Sequence, residues 1–238
     1  HLYVADTGHH RILECTHSGR VLREFGTGHG DYLDGPADIA AFRSPRGLCL
    51  VRESLYVADT GNHALRRIRL LDGVVETLAG TGRPGTPREG SGKASELPMN
   101  QPWDVVGNLD RIYIAMAGAN QVWEFELGQA RLKLTAGSGE LGIADGPARS
   151  AMFAHPAALV QVQQMLYVAD AATSAQDLAR IQGQTAASLE QTVAIINAMA
   201  GLPAMGNQLL HKILLLEIRH QRNLKQLSVV NFVGYPCS

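Results

Sequence analysis

Short segments of alternating apolar character recur along the first two thirds of the chain. Four of them share a leading apolar residue, a tyrosine, a β-branched residue and an alanine: residues 2–6, 55–59, 112–116 and 166–170. Successive copies begin 53 to 57 residues apart. Self-similarity at a steady period of this length is the sequence signature of a repeat architecture. We therefore predict one structural unit for each copy.

A proline marks the start of each of the last three units. Pro45, Pro102 and Pro156 each stand ten residues before the repeated segment that follows, and each comes three residues after a large apolar side chain. Two landmarks that keep the same distance in three places are hard to obtain by chance. The segment around each proline is predicted to lead into the first strand of its unit.

One complete unit predicts four short strands, at 45–51, 55–59, 64–71 and 74–80. The sequences Thr60-Gly61-Asn62 and Asp72-Gly73 supply the turns between the later strands. Four antiparallel strands in a repeat of this length are typical of a β-propeller blade, a small sheet that packs against its neighbours around an axis. Stretches rich in Gly and Pro then become the loops between blades: 26–40, 81–97 and 136–148.

Residues 55–63, together with the Arg66-Arg67-Ile68 strand that follows, resemble an NHL repeat, and the resemblance covers residues 1 to about 172. It implies a mainly β fold, a partial NHL-type β-propeller of about 3.5 blades of four-stranded antiparallel sheets. Residues 2–25 supply three strands, two complete blades follow, and the last blade yields two strands. Closed propellers have about four to eight blades. We therefore expect an open blade edge, which implies that the chain is a fragment, that it associates with another copy, or that a capping segment covers the edge.

The pattern changes after Asp170, and residues 173–238 are predicted to form an α-helical hairpin tail. Ser174 can cap a first helix that ends near Gly201, and a second helix is predicted over 204–227. The apolar stripe of the second helix is expected to pack on itself, on a second copy or over the open blade edge. A partner-binding coiled coil and an artificial join of two unrelated segments are the alternatives. The predicted domains are 1–172 and 173–238.

Composition excludes several classes of partner. Lys plus Arg number 21 against 22 Asp plus Glu, and a net charge of −1 gives no field that favours nucleic acid or anionic lipid. The three cysteines have neither zinc-type spacing nor the number needed for a disulfide framework. No run of about 18 apolar residues is present, so we predict a soluble chain without a membrane span. The compartment stays open.

Three recurrent aspartates, Asp6, Asp59 and Asp170, are the candidates for a cation site. Each precedes a turn of small residues, where Asp side chains bond to backbone N–H groups two residues on. Met116 takes the equivalent place in the third unit, which a ring of ligands would not tolerate. We therefore predict turn capping, and no metal or other cofactor. The histidines in the corresponding turns, His10 among them, are predicted to have ordinary turn roles.

Binding is predicted at one mouth of the central channel, near the start of the innermost strands. The candidate ligand- or partner-binding residues are Arg46, Trp103, Asp104 and His155. Arg and Trp are enriched at binding hot spots, although Trp103 could instead fill the space between blades.

The predicted function is a non-catalytic binding or scaffold module that interacts with a protein or a small ligand through propeller loops at the channel mouth, with a protein partner or self-association expected. Two alternatives stay open. One is a remnant of a metal-dependent propeller hydrolase or lyase, and the other is a truncated or fused fragment with no independent activity.

Overall fold

The computed structural model describes residues 1–162 and 165–171, so the helical hairpin predicted for 173–238 lies outside the described residues. Within the described part, the chain is mainly β and forms four antiparallel sheets in chain order. The first sheet consists of β1 (Leu2–Asp6), β2 (Arg11–Cys15) and β3 (Val21–Phe25). The second consists of β4 (Pro45–Val51), β5 (Ser54–Asp59), β6 (Ala64–Arg69) and β7 (Val75–Ala79).

The third sheet contains β8 (Ser91–Lys93), β9 (Pro102–Gly107), β10 (Arg111–Met116), β11 (Gln121–Glu126) and β12 (Arg131–Ala136), in the spatial order β8-β12-β11-β10-β9. The fourth contains β13 (Pro156–Val162) and β14 (Met165–Asp170). Within the described residues, the three strands of the first unit, the four-stranded meanders of the second and third units and the first two strands of the fourth unit lie where they are predicted. The repeated prolines are the first residues of β4, β9 and β13.

One strand falls inside a segment that the sequence predicts as a loop. β8 pairs with the outer edge of β12, where Arg131 lies opposite Lys93. The outer edge of β7 is covered in a similar way, because Gly35 exchanges two backbone hydrogen bonds with Val75. Incoming loops thus wrap over the outermost strand of the second and third sheets. Ser91-Gly92-Lys93 has no apolar alternation that would predict a strand.

The hydrophobic core lies between consecutive sheets. One cluster joins the first two sheets and includes Ile12, Phe25, Leu55 and Ile68. A second cluster joins the second and third sheets, and a smaller one joins the third and fourth through Val122 and Leu159. Because the second sheet has a neighbour on each face, consecutive residues of β5 are buried on both sides. Stacking of small meanders in chain order is a propeller-like arrangement.

Every 3-10 turn in the described repeats has the same conformation. Single-turn helices at Thr7–His9, Thr60–Asn62 and Ala117–Ala119 link the second and third strands of their units. Each ends at a residue with left-handed φ, namely His10, His63 or Asn120. No helix within 1–162 or 165–171 is long and apolar enough to cross a membrane.

Candidate binding site at the inner strands

The inner strands β4, β9 and β13 lie side by side. A Cβ atom placed on Gly47 of β4 would come within 2.4 Å of the Asp104 Cα, so only glycine permits this approach. On the other side of β9, the Leu159 N–H donates to Asp104 Oδ2 over 2.9 Å. The first residues of the three strands are therefore brought into one region, as the repeated prolines predict.

Arg46 and Trp103 form the most direct contact between the predicted site residues. The guanidinium carbon of Arg46 lies 4.0 Å from the centre of the Trp103 ring. Both side chains are partly exposed, and they stand one residue after the prolines that open β4 and β9. Stacking of this kind combines a cation–π attraction with shared apolar area, while the N–H groups in the guanidinium plane keep their hydrogen-bonding directions. The pair places a guanidinium and an indole ring face to face at the start of two adjacent inner strands.

The other two predicted residues have different settings. Asp104 is only 3% exposed and joins β9 to β13 through the bond with Leu159, so its carboxylate belongs to the packing of the inner strands. His155 is half-buried and has a left-handed φ of 66°. Its backbone N–H donates to Asn120 Oδ1 over 3.3 Å. A role for these two residues in binding stays a prediction.

A repeated contact positions the start of each inner strand. His10 and His63 accept hydrogen bonds at Nδ1 from the backbone N–H of Ser44 and Gln101, over 3.0 and 3.1 Å. Asn120 accepts the equivalent bond from His155. In each case the left-handed residue of one sheet holds the residue before the proline of the next. The turn role predicted for these histidines is correct. Their hydrogen bonds to the next unit could not be predicted from the sequence of a single unit.

A second contact of this type comes from threonine. The hydroxyls of Thr7 and Thr60 donate to the carbonyl oxygens of Pro45 and Pro102, over 2.7 and 2.6 Å. Ala117 stands at the corresponding place in the third repeat and has no hydroxyl. The inner strands β4 and β9 are thus each held by two contacts from the preceding turn, whereas β13 is held by Asn120 and Asp104.

The His63 contact predicts a dependence on pH. Burial, and then the Arg43 guanidinium, lowers the pKa of His63 below the ordinary value of about 6.5. The unfolded chain therefore binds the proton more tightly, so the stability from this residue is complete above pH 6.5 and is lost as the pH falls. We expect His63→Asn, which copies Asn120, to lose less unfolding free energy between pH 8 and pH 5 than the wild type in urea titrations.

His17→Asn is the matched control, because His17 lies in an exposed turn. It should keep the pH dependence of the wild type. Equal slopes for the wild type and His63→Asn would contradict the proposed neutral acceptor at Nδ1.

Two of the recurrent aspartates, Asp6 and Asp59, do not cap their own turns as predicted. Both precede their 3-10 turns without a side-chain capping bond. Asp59 instead accepts from the backbone N–H of Arg43 over 2.8 Å, and Asp170 accepts from that of Ala154. The carboxylates thus reach across their own sheet to the segment that enters the inner strand. The sequence of one turn does not predict these backbone N–H partners, because each lies 16 residues away in the chain.

Asp59 is also part of a fully buried ion pair. Its Oδ2 lies 2.7 Å from Arg66 Nη1, and both side chains are 0% exposed. Arg66 donates further to the carbonyls of Ala41 and Leu33 and to the Asp34 carboxylate. Burial raises the pKa of the Asp59 carboxyl to about 6, although Arg66 and neighbouring hydrogen bonds oppose the rise. Arg66 therefore fastens the loop before β4 to the core of the second sheet.

Apolar residues fill the same positions of the third sheet. Asp59, Asn62 and Arg66 correspond to Met116, Ala119 and Trp123, which are all buried. The indole N–H of Trp123 donates to Gln121 over 3.0 Å. The equivalent positions of two adjacent sheets are therefore occupied by buried polar and charged side chains in one sheet and by buried apolar side chains in the other. Neither set has the open geometry of a catalytic site.

Within residues 1–162 and 165–171, no group of three or more His, Cys, Asp or Glu side chains could hold a metal ion. Asp6 pairs with His9 and Arg11, while Asp59 pairs with Arg66. The three recurrent aspartates thus belong to separate networks.

Similarity to known proteins is concentrated in the repeats. Residues 42–68 match the family model described as NHL repeat. "NHL repeat-containing protein 2" of Gallus gallus is 43% identical over 139 residues, which are 55% of this chain and 19% of that protein. "Protein SUPPRESSOR OF QUENCHING 1, chloroplastic" of Arabidopsis thaliana is 34% identical over 181 residues, 73% of this chain and 17% of that protein. The chain thus spans about a fifth of the length of these relatives.

A solved structure gives a more distant likeness. It belongs to a protein of unknown function from Bacteroides thetaiotaomicron and is 23% identical, with a TM-score of 0.45. The similarity covers 56% of this chain and 31% of that one.

Proposed function

We propose that this NHL-repeat chain is a non-catalytic binding or scaffold module, whose described sheets make up about 3.5 blades of an NHL-type propeller. The observation that carries the proposal is the Arg46–Trp103 stack, 4.0 Å from guanidinium to ring centre, at the start of two adjacent inner strands. The site is pre-organised for a partner, because hydrogen bonds from the preceding turns hold the start of both inner strands. Pre-organisation reduces the side-chain entropy lost on binding.

The chemistry of the stack indicates the class of ligand. A guanidinium recognises a carboxylate through two parallel N–H groups, and an indole offers apolar contact area beside it. An acidic peptide with an apolar side chain next to the carboxylate satisfies both groups. The mouth of the propeller would bind such a segment of a protein partner.

The proposal can be tested with a library of acidic peptides, using tryptophan fluorescence as the readout. The chain has two tryptophans, of which Trp123 is buried and Trp103 is partly exposed. We expect one subset of peptides to change the Trp103 emission, and Arg46→Ala to weaken their binding by about 30-fold or more, as for a hot-spot residue. Trp103→Ala should abolish binding measured by calorimetry.

Arg88→Ala is the matched control, since Arg88 is an exposed arginine in the loop between β7 and β8. It should bind the same peptides with wild-type affinity. If no acidic peptide binds, or if binding is equal in Arg46→Ala and Arg88→Ala, the Arg46–Trp103 site is not the binding surface.

A further inference from the structure

Each inner strand is preceded by a residue with an unusual backbone conformation. Ser44, Gln101 and His155 stand directly before the repeated prolines and have φ values of 49°, 49° and 66°. A left-handed φ is uncommon for residues other than glycine, and proline restricts the residue before it towards extended conformations. Such strained residues persist only where the surrounding structure holds them. The start of each inner strand therefore depends on the contacts made to these residues.

One side-chain acceptor holds each of the three residues. His10 Nδ1 accepts from the backbone N–H of Ser44, and His63 Nδ1 accepts from that of Gln101. In the third case the acceptor is Asn120 Oδ1. An imidazole nitrogen accepts a hydrogen bond only while it is unprotonated, whereas an amide oxygen accepts in acid as well as at neutral pH. Two of the three contacts are therefore sensitive to acid, and the third is not.

The two histidine contacts belong to the strands that carry the stacked pair. Arg46 of β4 and Trp103 of β9 each follow a repeated proline by one residue, and Ala157 has that position in β13. The strand of Ala157 is the one that Asn120 holds. Without its histidine contact, the residue before the proline would relax towards the extended conformation that proline favours. That residue lies two positions before Arg46 or Trp103, so the separation of the stacked groups would change.

The surroundings of His63 fix the direction of its response to pH. Burial, and then the Arg43 guanidinium, lowers the pKa of His63 below the ordinary value of about 6.5. The held ring thus binds a proton less tightly than the ring of an unfolded segment does. The contact is therefore complete above about pH 6.5 and is lost as the pH falls.

A loop with charged groups of its own covers the His10 ring. A Cβ on Gly30 would lie 3.1 Å from His10 Nε2, so this glycine packs directly on the ring. The Gly30 carbonyl accepts from the Arg43 guanidinium over 3.2 Å. The neighbours of Gly30 in the chain, His29 and Asp31, are exposed. A proton on either latch histidine therefore adds positive charge to a region that already contains Arg43.

The aspartates before the two turns do not produce the same response. Burial raises the pKa of Asp6, but hydrogen bonds from His9 and Arg11 outweigh it and lower that pKa below the ordinary value, so Asp6 stays ionised above pH 5. Asp59 accepts from the Arg43 backbone N–H, and burial raises its pKa to about 6. Because the folded chain binds the Asp59 proton more tightly than the unfolded chain does, protonation of Asp59 does not favour opening.

We propose that His10 and His63 form an acid-sensitive latch on the binding site, a form of regulation that rests on the function proposed above. At neutral pH the unprotonated rings hold the residues before the two prolines, and the Arg46–Trp103 stack is closed and able to bind. In acid the protonated rings release those residues, and the stack loses its spacing.

The change is local, because a second contact to each strand does not titrate. The hydroxyls of Thr7 and Thr60 donate to the carbonyls of Pro45 and Pro102 at any pH in this range. These bonds keep β4 and β9 in place after the histidines are protonated. Acid is therefore expected to weaken binding while the sheets stay folded.

Hydrogen exchange of single amides, measured by NMR on the full chain, tests the latch without any ligand. The molecule contains its own control, because histidines hold the amides of Ser44 and Gln101 and Asn120 holds that of His155. Between pH 8 and pH 5, we expect the protection of the first two amides, relative to their intrinsic rates, to fall about tenfold, as for the loss of one hydrogen bond. The protection of the His155 amide should stay constant. Equal changes at all three amides, or no change at any, would overturn the latch.

Peptide binding tests the consequence for the site. The acidic peptides selected at neutral pH should bind the wild type about tenfold more weakly at pH 5. Their carboxylates, with ordinary pKa values of about 3.9 and 4.3, are still mainly ionised there. The double variant His10→Asn with His63→Asn copies Asn120 in both turns and should bind with the same affinity at pH 8 and pH 5.

His29→Asn is the matched control, since His29 is an exposed histidine next to Gly30. It should lose affinity in acid as the wild type does. A double variant that loses the same affinity as the wild type would assign the effect to other groups and overturn the latch. If no acidic peptide binds at any pH, the proposed function fails, and the exchange of the Ser44 and Gln101 amides still confirms or overturns the latch.

Discussion

Replacing Arg66 with alanine is expected to destabilise the protein by about 3–5 kcal/mol, the range for removing one partner of a buried ion pair. The Asp59 carboxylate would remain fully buried after the change, with its guanidinium partner gone. The carbonyls of Leu33 and Ala41 would each lose the guanidinium donor and keep only the backbone bonds between them, so the loop that covers β7 would be held less tightly to the sheet.

The third sheet shows how this loss can be reversed. A variant that combines Asp59→Met, Asn62→Ala and Arg66→Trp copies its apolar filling. Ala64→Gln is added because Gln121 accepts the hydrogen bond of the Trp123 indole. Buried ion pairs can often be exchanged for apolar residues of similar volume without loss of stability. We expect the fourfold variant to recover at least half of the stability that Arg66→Ala loses.

Urea unfolding of the wild type, Arg66→Ala and the fourfold variant measures the stability that Arg66→Ala loses and the part that the fourfold variant recovers. Arg69→Ala is the matched control, since Arg69 forms an ion pair with Asp72 in which both side chains are about half exposed. Such pairs contribute about 0–1 kcal/mol. A loss in Arg66→Ala no larger than in Arg69→Ala would mean that the buried pair does not fasten the loop.

The repeat allowed the strands of this protein to be predicted closely. A strand predicted at 64–71 ends at Arg69, and one predicted at 74–80 is Val75–Ala79. Alternation, turn residues and the position of the proline all agree in each unit, so local and long-range signals reinforce one another. Comparison of the units also gave the correct number of strands at both ends of the described part.

The long-range partners could not be predicted in the same way. Arg66 stands on a strand whose other arginines, Arg67 and Arg69, are partly exposed, and nothing in the alternation marks Arg66 as buried. Its burial depends on Asp34, 32 residues earlier, and on Asp59. β8 was missed for a related reason, because its pairing comes from the neighbouring β12 and its own residues have no strand pattern.

The proximity of Arg46 and Trp103 follows from their shared position after the proline, since equivalent residues of adjacent repeats lie side by side. Their role in binding stays a prediction. The next position is different in each unit, with Gly47 in the second, Asp104 in the third and Ala158 in the fourth. A glycine that faces an aspartate across two inner strands indicates tight packing, and the structure places Asp104 there, with 3% of its surface exposed.

That close approach leads to the second large effect. Gly47→Ala is expected to destabilise the protein by about 3 kcal/mol, the upper range for overpacking in a well-packed core. The added Cβ would lie 2.4 Å from the Asp104 Cα and 2.8 Å from the Val105 nitrogen. Both are backbone atoms, so no side-chain rotation can relieve the clash, and β9 must move away from β4. Arg46 and Trp103 project from the same two strands, so their stack should open as well.

Two measurements on Gly47→Ala separate these consequences. Urea unfolding reports the loss of stability, and the emission of Trp103 in native buffer should shift to longer wavelength as the ring loses the Arg46 guanidinium and gains water. Gly128→Ala is the matched control, because a Cβ on Gly128 would meet nothing within 4 Å and its φ is ordinary. If the two alanine variants are equally stable and have the same emission, the inner strands have room to separate. In that case the close packing of β4 on β9 does not position the Arg46–Trp103 pair.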